Sequence, residues 1–219
     1  VLVKTVQREH YRVEKWEAYP LPGAAVPFLV LVPDTASEKN PVPVLFCIPG
    51  SDQTKEELAA ETSPDLAQPP VPQPGSNAMA CHYVKQGWAA VVVDNAGTGE
   101  EGDAEHAAGR SSHDYENLAR SLLEMDWSWL GYTSYMDQCV LDWVKTRPWV
   151  QKNRIILSGF SLGTEPMMVL GVLNPDIFAF VYNDFLCRTL ERAKVMTMPS
   201  SRGVRSAPNS CLLYTSDAA

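Results

Sequence analysis

The sequence predicts an α/β protein with a mostly parallel sheet and helices on both of its faces. Three short runs, residues 42–48, 88–93 and 155–158, are apolar almost throughout, which is typical of parallel strands covered on both sides. Segments of helical character separate these runs, so strand and helix alternate along the chain. Residues 2–32 show looser strand patterns, which predict an antiparallel hairpin ahead of the parallel strands. The length of 219 residues fits one large domain.

The N-terminal part of the chain is predicted to be mainly strands. The strand segments are residues 2–19, which hold one or two strands, residues 26–32 and residues 42–48. Thr54 and Glu57 then stand at capping-box spacing, which predicts the start of a helix. The proline-rich residues 63–75 cannot form regular structure and are predicted to be a surface loop.

The rest of the chain is predicted to alternate helices with strands. The predicted helices are residues 77–86, 114–129, 135–146 and 167–173, and the predicted strands are residues 88–93, 155–158 and 178–182. Gly87 ends the first of these helices, since glycine is common just past the last helical turn. Asn174-Pro175 breaks the last one.

A strand, a tight turn and a helix are predicted around Gly159-Phe160-Ser161-Leu162-Gly163. A G-x-S-x-G pattern between a buried strand and a helix is the signature of a nucleophile elbow, with the serine at its tip. Glycine is needed on either side because the turn brings these positions against the strand and the helix, where a Cβ would clash. Ser161 is therefore the candidate nucleophile.

A serine nucleophile also needs donors for the charge that develops on the substrate oxygen. In this topology one donor is the backbone N–H of the residue after the serine, here Leu162. The other comes from the loop after an earlier strand, and Pro49-Gly50-Ser51-Asp52 follows the first apolar strand. We expect the Ser51 N–H to be that donor. The alternative is that Pro49-Gly50 is only a turn that ends the strand.

The serine further requires a base, normally a histidine held by a carboxylate. Elbows of this kind have the chain order serine, acid, histidine. All four histidines precede the elbow: His10, His82, His106 and His113. His106 and His113 lie in a polar stretch and are interpreted as surface residues; the alternative is that a base is recruited from this loop. Asp184, just after the last predicted strand, is a candidate acid; the alternative is a carboxylate bonded to nearby backbone N–H groups.

Composition narrows the classes of partner. The net charge of −8 argues against nucleic acid or an anionic membrane as the main partner. No apolar run approaches the ~20 residues of a membrane span. The five cysteines show no C-x-x-C pairing and no metal spacing, and Cys47 and Cys139 are interpreted as buried free thiols. No metal is expected.

The loop Gly97-x-Gly99-x-x-Gly102 imitates a dinucleotide-binding fingerprint. The context contradicts it, because Glu100 and Glu101 would face the pyrophosphate and no amphipathic helix opens there. We therefore expect no cofactor, and we interpret Asp94, which precedes this loop, as structural.

Four segments together carry a resemblance to a known family: residues 49–58, the loop 94–100, the elbow 159–163 and residues 182–185. They resemble the α/β-hydrolase superfamily, in particular its acetylxylan-esterase-like and dienelactone-hydrolase-like serine hydrolases, and the likeness covers about residues 26–197. The resemblance implies the α/β-hydrolase fold and hydrolysis of carboxylic esters, with acetyl groups on carbohydrate as candidate substrates. It also implies that the remaining strands, the acid and the histidine lie beyond the end of this chain.

Residues 211–219 are interpreted as foreign to the protein. They resemble the translation of a common transposase-type sequencing adapter; the alternative is a disordered natural tail. The chain begins at Val1 rather than Met, so a signal peptide is not excluded and the compartment stays open. We expect a partial α/β-hydrolase domain over residues 1–199, a loop and non-native tail over residues 200–219, and truncation at both ends.

These observations support one preferred function and two alternatives. In the preferred one, Ser161 forms an acyl-enzyme from a small-molecule or carbohydrate ester. This chain itself is expected to be inactive or nearly so for lack of the acid and the histidine. The alternatives are a prolyl-oligopeptidase-like serine peptidase, which sequence upstream of Val1 would distinguish, and a hydrolase-like binding protein without catalysis. The oligomeric state is not predicted.

Overall fold

A mixed sheet of seven strands organises the part of the chain that the structure describes. The computed structural model describes residues 1–51, 53–68, 77–102 and 115–184. The strands are β1 (Leu2–Arg8), β2 (Tyr11–Leu21), β3 (Ala24–Pro33), β4 (Val42–Ile48), β5 (Ala89–Val93), β6 (Val150–Phe160) and β7 (Ala179–Asn183). Their order across the sheet is β1-β2-β3-β5-β4-β6-β7.

The direction of the strands confirms the predicted fold class and the N-terminal hairpin. β1 pairs antiparallel with β2, β2 with β3, and β3 with β5. β5, β4, β6 and β7 are parallel neighbours. Their carboxyl ends therefore meet at one edge of the sheet, which is where sites lie in proteins of this class.

Helices cover both faces of the sheet. The described helices are α1 (Lys55–Ala59), α2 (Met79–Val84), α3 (Tyr115–Glu124), α4 (Trp129–Lys145) and α5 (Thr164–Leu173). One core cluster joins α1 and α2 to the sheet through side chains such as Leu58 and Val84. The cluster on the opposite face joins α4 and α5 through Val140 and Met167 among others. Burial on both faces explains why β4 and β5 are apolar along their whole length.

The boundary between α3 and α4 differs from the sequence prediction, which continued one helix to Trp129 and began the next at Tyr135. α3 ends at Glu124. Ser128 then caps a new helix, because its Oγ accepts a hydrogen bond from the Gly131 N–H at 2.8 Å. α4 therefore begins at Trp129, whose side chain is fully buried. The Ser128 cap is the local signal for the start of α4, which the hydrophobic periodicity alone does not show.

Two local predictions fall partly within the described residues. The Thr54 Oγ1 accepts the Glu57 N–H at 3.5 Å and starts α1, as the capping-box spacing predicts. The described part of the proline-rich loop lies against the N-terminal hairpin, because Lys15 Nζ donates to the Pro64 carbonyl at 3.1 Å. Residues 69–75 of that loop lie outside the described residues.

Of the two cysteines interpreted as buried thiols, the structure buries one. Cys47 in β4 is fully buried, and burial raises the pKa of its thiol. Cys139 is also a free thiol, but it is only partly buried on α4. Among the described helices, none is long and apolar enough to cross a membrane.

Candidate active site

The strand β6 runs directly into the sharp turn that carries Ser161. Residues Ser161–Gly163 form one 3₁₀ turn, and α5 begins at Thr164. Ser161 has a φ of 46°, a left-handed conformation that is strained for any residue with a Cβ. The Thr164 Oγ1 donates to the Ser161 carbonyl at 2.7 Å and holds the turn closed. This strand, turn and helix have the geometry of a nucleophile elbow.

The two motif glycines stand where no side chain fits. A Cβ on Gly159 would lie 2.6 Å from the Gly163 carbonyl oxygen and 2.9 Å from the Thr164 Cα. A Cβ on Gly163 would lie 2.4 Å from the Ile48 carbonyl oxygen and 2.5 Å from that of Pro49. All of these neighbours are backbone atoms, so none can rotate away. The elbow therefore packs directly against the end of β4.

The loop after β4 lies beside the elbow because β4 and β6 are adjacent parallel strands, with Ile48 paired to Gly159. The Gly50 N–H points to the Gln53 Oε1 at 3.3 Å, so it is engaged within the loop. Ser51 follows it and is partly buried, while Asp52 lies outside the described residues. Leu162, whose N–H is the other expected donor, is buried in the turn itself. The oxyanion roles of Ser51 and Leu162 stay predictions.

Asp184 follows β7 at the same edge of the sheet. Asn183 pairs with Phe160 across the β6–β7 ladder, so Asp184 comes level with the elbow. It is exposed and has a left-handed φ of 65°. The Asn183 Nδ2 donates to the buried Ser158 Oγ at 3.1 Å and ties the end of β7 to β6. This position is compatible with the candidate acid, whose role stays a prediction.

Two histidines, His10 and His82, lie within the described residues. His10 is in the β1–β2 turn, and its carbonyl accepts the Asp34 N–H just after β3. Because β3 runs antiparallel to β5, that point is at the opposite end of the sheet from the carboxyl ends of the parallel strands. His82 is exposed on α2, where its Nε2 lies 2.7 Å from the Gln86 side-chain nitrogen. His106 and His113 lie outside the described residues.

A buried ion pair lies next to the site, and the sequence analysis did not find it. Lys55 and Asp94 are both buried, and the Lys55 Nζ lies 2.6 Å from the Asp94 Oδ2. Burial raises the pKa of Asp94 to about 6 despite the opposing effect of Lys55. Burial alone would lower the pKa of Lys55, but the carboxylates of Asp94, Glu56 and Glu100 outweigh it and raise that pKa. The structural interpretation of Asp94 agrees with this arrangement.

The dinucleotide-like loop, residues 97–102, supplies a partner to the buried Lys55. Gly99–Glu101 form a single 3₁₀ turn that ends at Gly102. Glu100 bonds Lys55 at 2.8 Å and also pairs with Lys15 of β2. Glu100, one of the two glutamates that would repel a pyrophosphate, therefore pairs with the buried Lys55 instead. Within the described residues, no group of three or more His, Cys, Asp or Glu side chains is arranged to hold a metal ion.

Comparison with known proteins supports the predicted resemblance to the α/β-hydrolase superfamily. The model of the Abhydrolase family matches residues 1–216. A Bacteroides fragilis structure assigned as an acetyl xylan esterase is 53% identical with a TM-score of 0.80, and the match covers 91% of this chain and 51% of that one. This chain thus spans about half the length of that relative. No significant match was found among curated proteins.

More distant structures share the fold. Acetyl xylan esterase 1 from Thermoanaerobacterium sp. is 18% identical with a TM-score of 0.56, and the match covers 81% of this chain and 49% of that one. An acetyl xylan esterase from Paenibacillus sp. R4 is 14% identical with a TM-score of 0.59, over 92% and 58% of the two chains. With the family model matching nearly the whole length, the chain belongs to the Abhydrolase family, within the α/β-hydrolase superfamily that its sequence predicts.

Proposed function

We propose that this chain is the nucleophile-bearing part of a serine hydrolase of carboxylic esters. The observation that carries the proposal is Ser161, held at a φ of 46° between β6 and α5. A left-handed serine is strained, and such strain persists where the surrounding structure imposes it, as at an aimed nucleophile. The relative that is 53% identical and assigned as an acetyl xylan esterase favours an acetyl ester of carbohydrate as the substrate.

The chemistry follows from the positions of the two expected donors. The Ser161 Oγ attacks the ester carbonyl carbon while its proton passes to a general base, and the carbonyl π electrons move onto the oxygen. The N–H groups of Leu162 and Ser51 bind that oxyanion. The C–O bond to the alcohol then breaks, the alcohol takes the proton from the base, and an acyl-enzyme remains. Water hydrolyses the acyl-enzyme by the same steps and regenerates the serine.

The proposed general base is a histidine that lies outside this chain. No histidine follows Ser161 in the sequence, and the chain spans about half of its relative. We propose that the histidine, together with an acid, belongs to the length of the parent enzyme that this chain does not cover. Loss of a triad residue typically lowers the rate by ~10⁴ or more, so the isolated chain should turn over esters barely, if at all.

The test compares this chain with the longer reading frame of its source DNA. Release of acetate from acetylated xylan and hydrolysis of a nitrophenyl acetate are measured for both. The longer protein should hydrolyse the esters, and Ser161→Ala should abolish the reaction. Ser134→Ala is a matched control, because the buried Ser134 Oγ has no hydrogen-bond partner within the described part of the chain. Activity that survives Ser161→Ala, or a longer protein that is inactive on esters, would contradict the proposal.

A further inference from the structure

The segment of residues 49–55, which comprises the loop after β4 and the first residue of α1, is attached at both ends to the dipeptide Asp94-Asn95. The Asn95 Nδ2 donates to the Pro49 carbonyl at 2.7 Å and also faces the Gly50 carbonyl at 3.4 Å. At the other end, the Asp94 Oδ1 accepts the Lys55 N–H at 2.7 Å and its Oδ2 accepts from the Lys55 Nζ at 2.6 Å. Both attachments are therefore to the two residues that directly follow β5.

Within the described residues, the side chain of Asn95 makes its hydrogen bonds to the Pro49 and Gly50 carbonyls. It is fully buried, and its Oδ1 has no hydrogen-bond partner among the residues that the structure describes. The amide is therefore oriented by what its nitrogen donates to, namely the two carbonyls of the loop. Its own backbone is fixed as well, because its carbonyl accepts from both the N–H and the Oγ1 of Thr98.

The same carbonyl also meets the elbow. The Pro49 oxygen lies 2.5 Å from the point where a Cβ of Gly163 would be. The bond from Asn95 thus fixes a backbone atom that touches the turn carrying Ser161. Ser51 lies between the two attached ends of the loop, two residues beyond Pro49 in sequence.

We infer that Asn95 is a positioning residue that sets the loop of residues 49–55 against the elbow and so aims the Ser51 N–H, with the Asp94–Lys55 pair as the second anchor. The part of this inference that concerns the oxyanion rests on the proposed function. The attachment of the loop does not, since it is defined by the hydrogen bonds alone. Asn95 touches no reacting atom and acts through the backbone of the loop.

Asn95→Asp is the sharpest perturbation. It is isosteric, but it replaces the donating NH₂ with an oxygen that faces two carbonyl oxygens. Asn174→Asp is the matched control. Asn174 is also buried, and its Nδ2 also donates to a backbone carbonyl, that of Leu170 at 2.8 Å. Its side chain further bonds Gln138 and Lys145, and it lies at the far end of α5, so this variant controls for a new carboxylate at a buried asparagine outside the loop.

The first measurement is amide hydrogen exchange of this chain, followed by mass spectrometry of the peptide that spans residues 49–58. Exchange there should rise at least about tenfold in Asn95→Asp and stay unchanged in Asn174→Asp, since a lost anchor opens the loop locally. Unchanged exchange in Asn95→Asp would overturn the inference. This readout requires no activity, so it stands apart from the proposed function.

The second measurement is ester hydrolysis by the longer reading frame. At a temperature where the variant is fully folded, Asn95→Asp should lower kcat about 10–10²-fold with little change in KM. This is the expected result when a hydrogen-bond donor to the transition state is displaced. Asn174→Asp should keep the parent kcat. An opened loop with an unchanged kcat would overturn the positioning role. A wild-type protein inactive on esters would instead refute the proposed function. The exchange result alone would then test whether Asn95 anchors the loop.

Discussion

Gly163→Ala should destabilise the protein by steric contact alone. The φ of Gly163 is −63°, a value that alanine adopts freely, so the backbone conformation adds no penalty. The new Cβ would lie 2.4 Å from the Ile48 carbonyl oxygen, 2.5 Å from that of Pro49 and 2.8 Å from the Ile48 carbonyl carbon. Each contact is closer than any ordinary Cβ approach, and each partner is backbone.

The magnitude follows from what must move. Insertion of one carbon into a packed interior costs typically 1–3 kcal/mol, and a site without a rotatable neighbour belongs at the upper end, so we expect a loss of about 2–3 kcal/mol. In a protein of this size, 1 kcal/mol corresponds to a shift in Tm of roughly 2–4 °C. Gly163→Ala should therefore lower the Tm by about 4–12 °C.

The assay is chemical and thermal unfolding followed by circular dichroism, with Gly171→Ala as the control. Gly171 lies within α5, and the nearest neighbours of its Cβ would be atoms of the Phe180 ring, at 3.0 and 3.1 Å. A ring can tilt, and alanine favours the helix by about 1 kcal/mol over glycine, so this variant should match or exceed the parent. If Gly163→Ala unfolds at the parent temperature, the elbow does not pack against the end of β4 and the reasoning about the site is wrong.

Three further substitutions test other features of the site and its surroundings. Ser161→Gly should raise the free energy of unfolding by about 1 kcal/mol, because it removes the left-handed strain, whereas Ser161→Ala, which keeps a Cβ, should not. Lys55→Met should lower it by roughly 3–5 kcal/mol in urea unfolding, because Asp94 would be left buried and unpaired, and adding Asp94→Asn should recover part of that loss. Burial raises the pKa of Asp137 well above its ordinary value, so its contribution to stability is present below the unfolded pKa and is lost as the pH rises through the folded pKa. Asp137→Asn should therefore flatten the loss of stability as the pH rises above the ordinary aspartate pKa of about 4, and an unchanged pH profile would contradict a buried, protonated Asp137.

Much of the fold could be predicted because buried strands and tight turns leave local signals. β4 coincides with the predicted residues 42–48, since a strand covered on both faces is apolar over its whole length. The elbow could be predicted equally well, because steric contacts within a few consecutive residues require glycine at both motif positions. The antiparallel pairing of β3 with β5 was not predicted. Strand order depends on contacts between distant segments and has no signature in the local pattern.

The rest of the site was missed for the same physical reason. Lys55 looks like an ordinary helix-start residue and Asn95 like a loop residue. Their partners lie 39 and 46 residues away in sequence. Only the parallel pairing of β4 with β5 brings them together, with Cys47 opposite Val92. A lysine next to a helix cap is usually solvated, so nothing short of the assembled sheet shows that this one is buried.

The Pro49 carbonyl is where the separate parts of the site meet. It accepts the hydrogen bond from Asn95, it forms the surface against which Gly163 packs, and it ends the strand that pairs with β6. A shift of any one of these parts would disturb the other two. Ser161, the proposed nucleophile, and its neighbouring loop are therefore positioned by contacts made within residues 42–164, and these contacts include no histidine. In the proposed mechanism, aiming the serine and moving its proton are thus separable tasks, and the described residues carry the contacts for the first.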